Sequence, residues 1–322
     1  MLTTDFVAEV ASATDLHPGI CGLLKSLPFG SYAQLHYSLR HPGAIFNISF
    51  YSTLFALNAL LDELAKSPID RDLVALRHTG LLLALSNYSE AFHEMLLALS
   101  RPEARPPENR PLWQVLRDRG YKAVQNYHEL LKKTDCMYFR DVFNELKHSS
   151  TVLRTLVVDT PFGTVVGYYL ESAFRDGSVG PAERFHPKWH GCLTANSFNK
   201  DIRRIYHLVY QLSHVMGNCL SAHMQDVHGL TLVAGRPYSD AKDTLTLRVY
   251  ERTSRLSNLC FADEVGQTLP EPLLENTEPP ALRFRFRKVP MLHREAKVQL
   301  SIKGDGYTRS WKVPYWLGPS SH

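Results

Sequence analysis

The sequence predicts an α+β protein: a helical bundle with one inserted β-hairpin, followed by a small antiparallel β domain. Three observations carry this expectation. Apolar residues recur at three- and four-residue spacing through most of positions 1–225. β-Branched and aromatic residues flank a Pro/Gly turn near 155–172. From about Asp226 to the end, apolar and polar residues nearly alternate. The expected domains are 1–225 and 226–322, with "GRPYSDAKD" as the linker.

The elements follow in order. "SFYSTLFALNALLDELAKS" sets Leu54, Leu57, Leu60, Leu61 and Leu64 on one helical stripe. The longer run 44–61 is apolar, but its two Asn and its hydroxyl side chains mark a buried core helix rather than a membrane span. Asp70 is placed to cap a second helix running to Ser100, which Gly80 is expected to interrupt or kink. "RPEARPPENRP" is loop, and "LWQVLRDRGYKAVQNYHELLKKTD" (112–135) reads as one amphipathic helix. "CMYFRDVFNELKHSS" follows. "TLVVDTPFGTVVGYYLES" is the hairpin, and 199–225 returns to helix with Ile202, Ile205, Tyr206, Val209, Leu212 and Val215 in register. "TLTLRVYE", "ALRFRFRKV", "AKVQLSIKG" and "TRSWKVPYW" are expected strands.

Composition narrows the function classes. Apolar residues make up 44% and charged residues 21% of the 322, which excludes extensive disorder. The opening segment is acidic and amphipathic, so a cytoplasmic location is expected rather than secretion or import. Five scattered cysteines without CxxC spacing fit a reducing compartment. No phosphate loop, GxSxG, HExxH or dinucleotide fingerprint occurs, and no cofactor is expected. "FHPKWHGC" brings His186, His190 and Cys192 close in sequence, but in a Pro/Gly loop with no second half, so no metal site is assigned to them.

Net charge is +4, yet Ala281–His322 alone carries +7, leaving −3 for the rest. In "LRFRFRK" strand alternation sets Arg283, Arg285 and Arg287 on one face and Phe284 and Phe286 on the other. Three neighbouring guanidiniums repel one another and favour an anionic partner. Lys288 extends this face, as do Arg294, Lys297, Lys303, Arg309 and Lys312, with Tyr307, Trp311 and Tyr315 as stacking surfaces. Nucleic acid is the expected partner of this face, and an acidic protein is the alternative.

In the helix ending at His148, Arg140, Asn144 and His148 form a polar stripe at four-residue spacing, with Asp141 and Glu145 beside it. Phe143 and Leu146 face the core. Asn144-Glu145-Leu146-Lys147-His148 resembles, from its polar position onward, the motif of the HEPN superfamily: an Arg, a polar residue, three further residues and a His at a helix end. The resemblance covers roughly 44–225. It implies metal-independent RNA cleavage in a toxin or defence system by a homodimer, with His148 moving a proton, Asn144 beside it, Lys147 near the nucleic acid and an Arg holding phosphate. Phe143 occupies the family's Arg position. Arg140 is the substitute, eight residues and about 12 Å of axial rise from His148. A non-catalytic adaptor is the competing reading.

Overall fold

The computed structural model describes residues 5–27, 40–100, 110–148, 151–160, 163–232, 244–289, 297–299 and 310–316. Within them the protein is mixed α+β with antiparallel sheets, in the expected class. The linker at 235–243, Arg294, Lys303, Tyr307 and Arg309 lie outside the described residues.

Helices α1 (Ile20–Lys25), α2 (Pro42–Leu64) and α3 (Arg71–Ala98) open the bundle. Pro42 sits in the first turn of α2, where its missing N–H costs nothing, and the His41 side chain accepts the Gly43 N–H. Phe46, Phe50, Leu54, Leu57 and Leu61 then fall on one buried face, each burial contributing about 2 kcal/mol relative to exposure. Asp70 caps α3 by accepting the Leu73 N–H at 3.0 Å. Contrary to the expected interruption, α3 runs unbroken through Gly80, whose α-carbon faces open space. The helix expected over 112–135 is two, α4 (Leu112–Asp118) and α5 (Lys122–Leu131). Gly120, at φ +78°, turns the chain between them in a conformation that disfavours side chains.

α6 (Cys136–His148) leads into the hairpin of β2 (Val152–Thr160) and β3 (Gly163–Ala173), in which Thr160 pairs with Gly163. The loop expected after it contains short strands: β4 (Val179–Pro181), β5 (Lys188–Trp189), β6 (Cys192–Leu193) and β7 (Asn196–Ser197). β4 and β7 pair with β3. α7 (Phe198–His228) is the central helix. It is capped by Ser197 and by the left-handed Gly229, and Ile202, Ile205, Tyr206, Val209 and Leu212 are wholly buried.

The segment "TLTLRVYE", expected as a strand, is instead helix α8 (Leu245–Ser254). Leu245, Val249 and Thr253 recur every four residues and are all buried, so the helical period of the packed face prevails over a short alternation. β8 (Thr268–Glu275) and β9 (Ala281–Lys288) form a hairpin completed by β1 (Phe6–Glu9) from the other end of the chain, in the order β1–β9–β8. Phe284, on β9, is wholly buried, with its ring 5.8 Å from Tyr206 and 5.9 Å from Tyr210 of α7. β10 (Lys297–Gln299) pairs with β2, and Trp311 makes one parallel bridge to Val179 rather than an extended strand.

A buried ionic network fastens the later chain to the start of α7. Lys200 Nζ lies 2.5 Å from Glu264 Oε1 and donates to Asn196 at 3.1 Å. Glu264 also accepts the Ser197 and Phe261 N–H groups. One turn on, Arg204 bridges Asp201 and Asp135, and the Tyr168 hydroxyl donates to Asp201. Phe261 packs so closely on β3 that a Cβ at Gly167 would stand 2.3 Å from its ring.

Candidate functional site

α6 presents its polar stripe much as its spacing dictates. Phe139 and Val142 are buried, while Phe143 and Leu146 pack against the main core. Asn144, Lys147 and His148 are exposed at the helix end, and among the described residues neither Asn144 nor His148 makes a side-chain hydrogen bond. The acidic flank is tied down: Arg184 donates to Asp141 at 2.8 Å and stands 3.7 Å from Glu145. Arg140 is close enough to Glu90 and His128 for its positive charge to act on both.

The corner where α3, α5 and α6 meet gathers a chain of titratable groups. His93 Nδ1 lies 3.0 Å from Glu90 Oε2, one helical turn earlier on α3. His93 Nε2 lies 3.1 Å from His128 Nε2 on α5. Trp113 packs its ring 5.3 Å from His128, and Arg117 sits 5.1 Å over the Trp113 ring. His93 is buried, whereas Glu90 is half exposed and His128 intermediate, so a buried imidazole joins two groups that both reach toward the surface.

The proton arrangement follows from the contacts. A carboxylate only accepts, so His93 carries its proton on Nδ1. Its Nε2 then accepts from His128 Nε2–H, which leaves the His128 Nδ1 lone pair available; among the described residues nothing is hydrogen-bonded to that atom. Partial burial pushes the His128 pKa down, and His93, Arg140 and Arg117 push it further against the opposing pull of Glu90. Burial alone would raise Glu90, but the His93 hydrogen bond and the charges of His93, Arg140 and His128 outweigh it and hold the carboxyl below its usual range. The corner is thus a carboxylate–imidazole–imidazole relay ending in a neutral base beside a guanidinium. Such a relay can take up a proton at His128 and hand the positive charge across to His93, beside Glu90.

Of these groups the sequence reading singled out only Arg140. Glu90 and His93 are an i, i+3 pair in "SEAFHEM", a visible signal on a helix. His128 arrives from another helix, and no spacing announces it.

The arginine row on β9 has the expected alternation, with Phe284 buried and Arg285 and Arg287 exposed. Its charge, however, is met within the molecule. Arg283 Nε lies 2.7 Å from Glu275 and Arg287 Nε 2.7 Å from Glu271; Arg285 stands 4.0 Å from Glu275, and Asp5 is 4.0 Å from Arg283. The Arg283 hydrogen bond holds the Glu275 carboxyl below its usual range. The premise of an unpaired guanidinium ladder is corrected accordingly: β8 lays its own carboxylates along the row. Lys288, at the strand end, is exposed.

Other sequence candidates are accounted for locally. His186 is buried and accepts the Leu170 N–H at 2.8 Å, while the His190 ring stands against Trp189. Among the described residues no three His, Cys, Asp or Glu converge as a metal-ligand set. No family model, curated protein or solved structure matches the chain.

Proposed function

We propose that this chain is a nucleic-acid-associated protein that engages single-stranded RNA at the α3–α5–α6 corner and cleaves it without a metal. The observation carrying this reading is the Glu90–His93–His128 relay, with a partly exposed His128 within reach of the positive charge of Arg140. RNA brings its own nucleophile, the ribose 2′-hydroxyl, so a neutral imidazole and a guanidinium suffice for the chemistry. His128 Nδ1 takes the 2′-hydroxyl proton as the 2′-oxygen attacks phosphorus, and Arg140 neutralises the charge gathering on the phosphoryl oxygens. The 5′-oxygen leaves and takes a proton from water, giving a cyclic phosphate and a 5′-hydroxyl end. The proton gained by the relay rests on His93, next to Glu90.

The reading keeps the metal-independent ribonuclease class that the HEPN resemblance implies, along with its toxin or defence setting, cytoplasmic location and homodimer. It moves the working base from His148 to His128 and leaves Lys147, Asn144 and His148 as an outlying polar end. The β9 arginines are removed from the primary contact because their charge is already matched. The experiment is RNA cleavage in chelator by wild type, His128→Asn and His148→Asn.

A non-catalytic interaction protein is the second reading, favoured by a separate observation. Ile48 and Phe55 on α2 and Leu76 and Leu83 on α3 are between 46% and 65% exposed, and Ile48 and Leu83 border one groove with Ser52 and Gly80. Absence of cleavage by the wild type, together with loss of self-association in Phe55→Asp, selects this second reading.

A further inference from the structure

Away from the corner, β1 forms the edge of its three-stranded sheet and faces a groove of about 340 Å³ bordered by α1 and α7. The Val10 N–H donates to the Pro280 carbonyl, so the backbone groups of Ala8 and Phe6 point toward β9 as well. Those of Val7 and Glu9 point the other way, into the groove. The Glu9 carbonyl accepts the Gly19 N–H at 3.0 Å. The Val7 N–H, the Val7 carbonyl and the Glu9 N–H have no hydrogen-bond partner among the described residues.

The floor and walls of the groove set what fits there. Ile20 and Leu23 of α1 are 6% and 7% exposed and meet Gly217 of α7, which brings no side chain, so the floor takes a small apolar group. His214 and Asn218 form the α7 wall and hydrogen-bond each other at 3.0 Å. Glu9 is exposed, and its carboxylate has no ion-pair partner among the described residues. Across the ladder from Val7 stands Arg283, already bonded to Glu275. The strand carries neither proline nor lysine, two residues that commonly guard a sheet edge.

We propose that this edge binds an extended, basic segment of a partner protein by antiparallel strand addition. An extended backbone offers carbonyl, N–H and carbonyl at the spacing that the Val7 N–H, the Val7 carbonyl and the Glu9 N–H require. The partner residue opposite Val7 exchanges two hydrogen bonds with it, and the residue opposite Glu9 accepts the third. The side chains of these two residues share the solvent face with Val7 and Glu9, whereas the residue between them points onto Ile20 and Leu23. Glu9 selects Lys or Arg opposite itself, Arg283 selects a neutral residue opposite Val7, and the floor selects a residue of valine size between them. From its N-terminus the bound segment therefore reads basic, small apolar, neutral. The site stands apart from the α3–α5–α6 corner and does not depend on RNA cleavage.

The test is titration of the isotope-labelled full chain with the peptide acetyl-Ser-Lys-Val-Thr-Ala-amide, followed through the Val7 and Glu9 amide signals by NMR. With peptide at about 2 mM both amide protons should shift and gain protection from hydrogen exchange. Methylating the threonine nitrogen removes the donor to the Val7 carbonyl and should weaken binding at least about fivefold with the protein unaltered. Val7→Pro removes an outward N–H, leaves the β1–β9 bonds in place and should have the same effect. Exchanging the peptide lysine for glutamate should weaken binding to the wild type about threefold and strengthen binding to Glu9→Lys by a similar factor. Unmoved Val7 and Glu9 signals in the wild type overturn the proposal without reliance on any variant. Undiminished binding of the N-methylated peptide overturns it as well, as does equal affinity of the wild type for the lysine and glutamate peptides.

Discussion

His93 Nε2 and His128 Nε2 face each other at 3.1 Å, joined by one proton, with Glu90 behind the first ring and solvent beyond the second. Because the His128 pKa is lowered, its neutral form persists to more acidic pH than that of an ordinary histidine. Activity requiring that neutral form should therefore hold as pH falls to about 6.5, where an ordinary histidine is half protonated. It should decline only below that. Glu90→Gln removes the opposing negative charge, lowers His128 basicity further, and should reduce cleavage at neutral pH by about tenfold or more. A pH–rate profile for the two proteins checks both statements.

The β9 row leads to a prediction opposite to the one its sequence suggests. Replacing Arg283, Arg285 and Arg287 with Gln should leave the salt dependence of RNA binding nearly unchanged, because Glu271 and Glu275 already answer those charges. Arg140→Gln should instead flatten the plot of log affinity against log salt by about one unit. Filter binding across a salt series separates the two. The exposed β8–β9 ion pairs themselves contribute little to stability, so the triple variant should stay folded.

The Lys200–Glu264 pair is a structural latch. Glu264→Gln leaves a buried ammonium without its carboxylate and should cost about 3–5 kcal/mol in urea unfolding. The double variant Lys200→Met, Glu264→Leu removes both charges and should recover a substantial part of that loss.

Acid sensitivity should come in part from His78. It is wholly buried against Tyr168 and Phe198, neither ring nitrogen is hydrogen-bonded among the described residues, and burial lowers its pKa from 6.5 to about 4. Between those values the unfolded chain binds a proton that the native protein refuses, so stability rises with pH across this window. The full contribution is present above about 6.5 and is lost as pH falls toward 4, up to about 3 kcal/mol. His78→Leu should flatten the denaturation midpoint over that range.

Local patterns were legible where one element carried its own signal. The stripe of α2, the Asp70 cap, the hairpin around Gly163, the α7 register and the alternation of β9 can each be read from neighbouring residues. What escaped depends on who packs against whom. "TLTLRVYE" alternates over eight residues and became helix because Leu245 and Val249 meet the bundle on one face. The charge of "LRFRFRK" is answered by "LPEPLLE", and a hairpin reading of the two would have set Glu271 and Glu275 beside the arginines. The stripe from Arg140 to His148 suggested one site, whereas the charge of Arg140 acts on Glu90 and His128 from two other helices and His148 lies at the exposed end. Buried partners from distant segments, such as His93 with His128, leave no spacing to find.

The most direct measurement is cleavage of a single-stranded RNA in chelator by wild type, His128→Asn and His148→Asn, with product ends identified. The account predicts that wild type yields cyclic phosphate ends, that His128→Asn loses about a hundredfold or more, and that His148→Asn stays within a few-fold of wild type. Absence of cleavage by the wild type, or equal rates for wild type and His128→Asn, would contradict it.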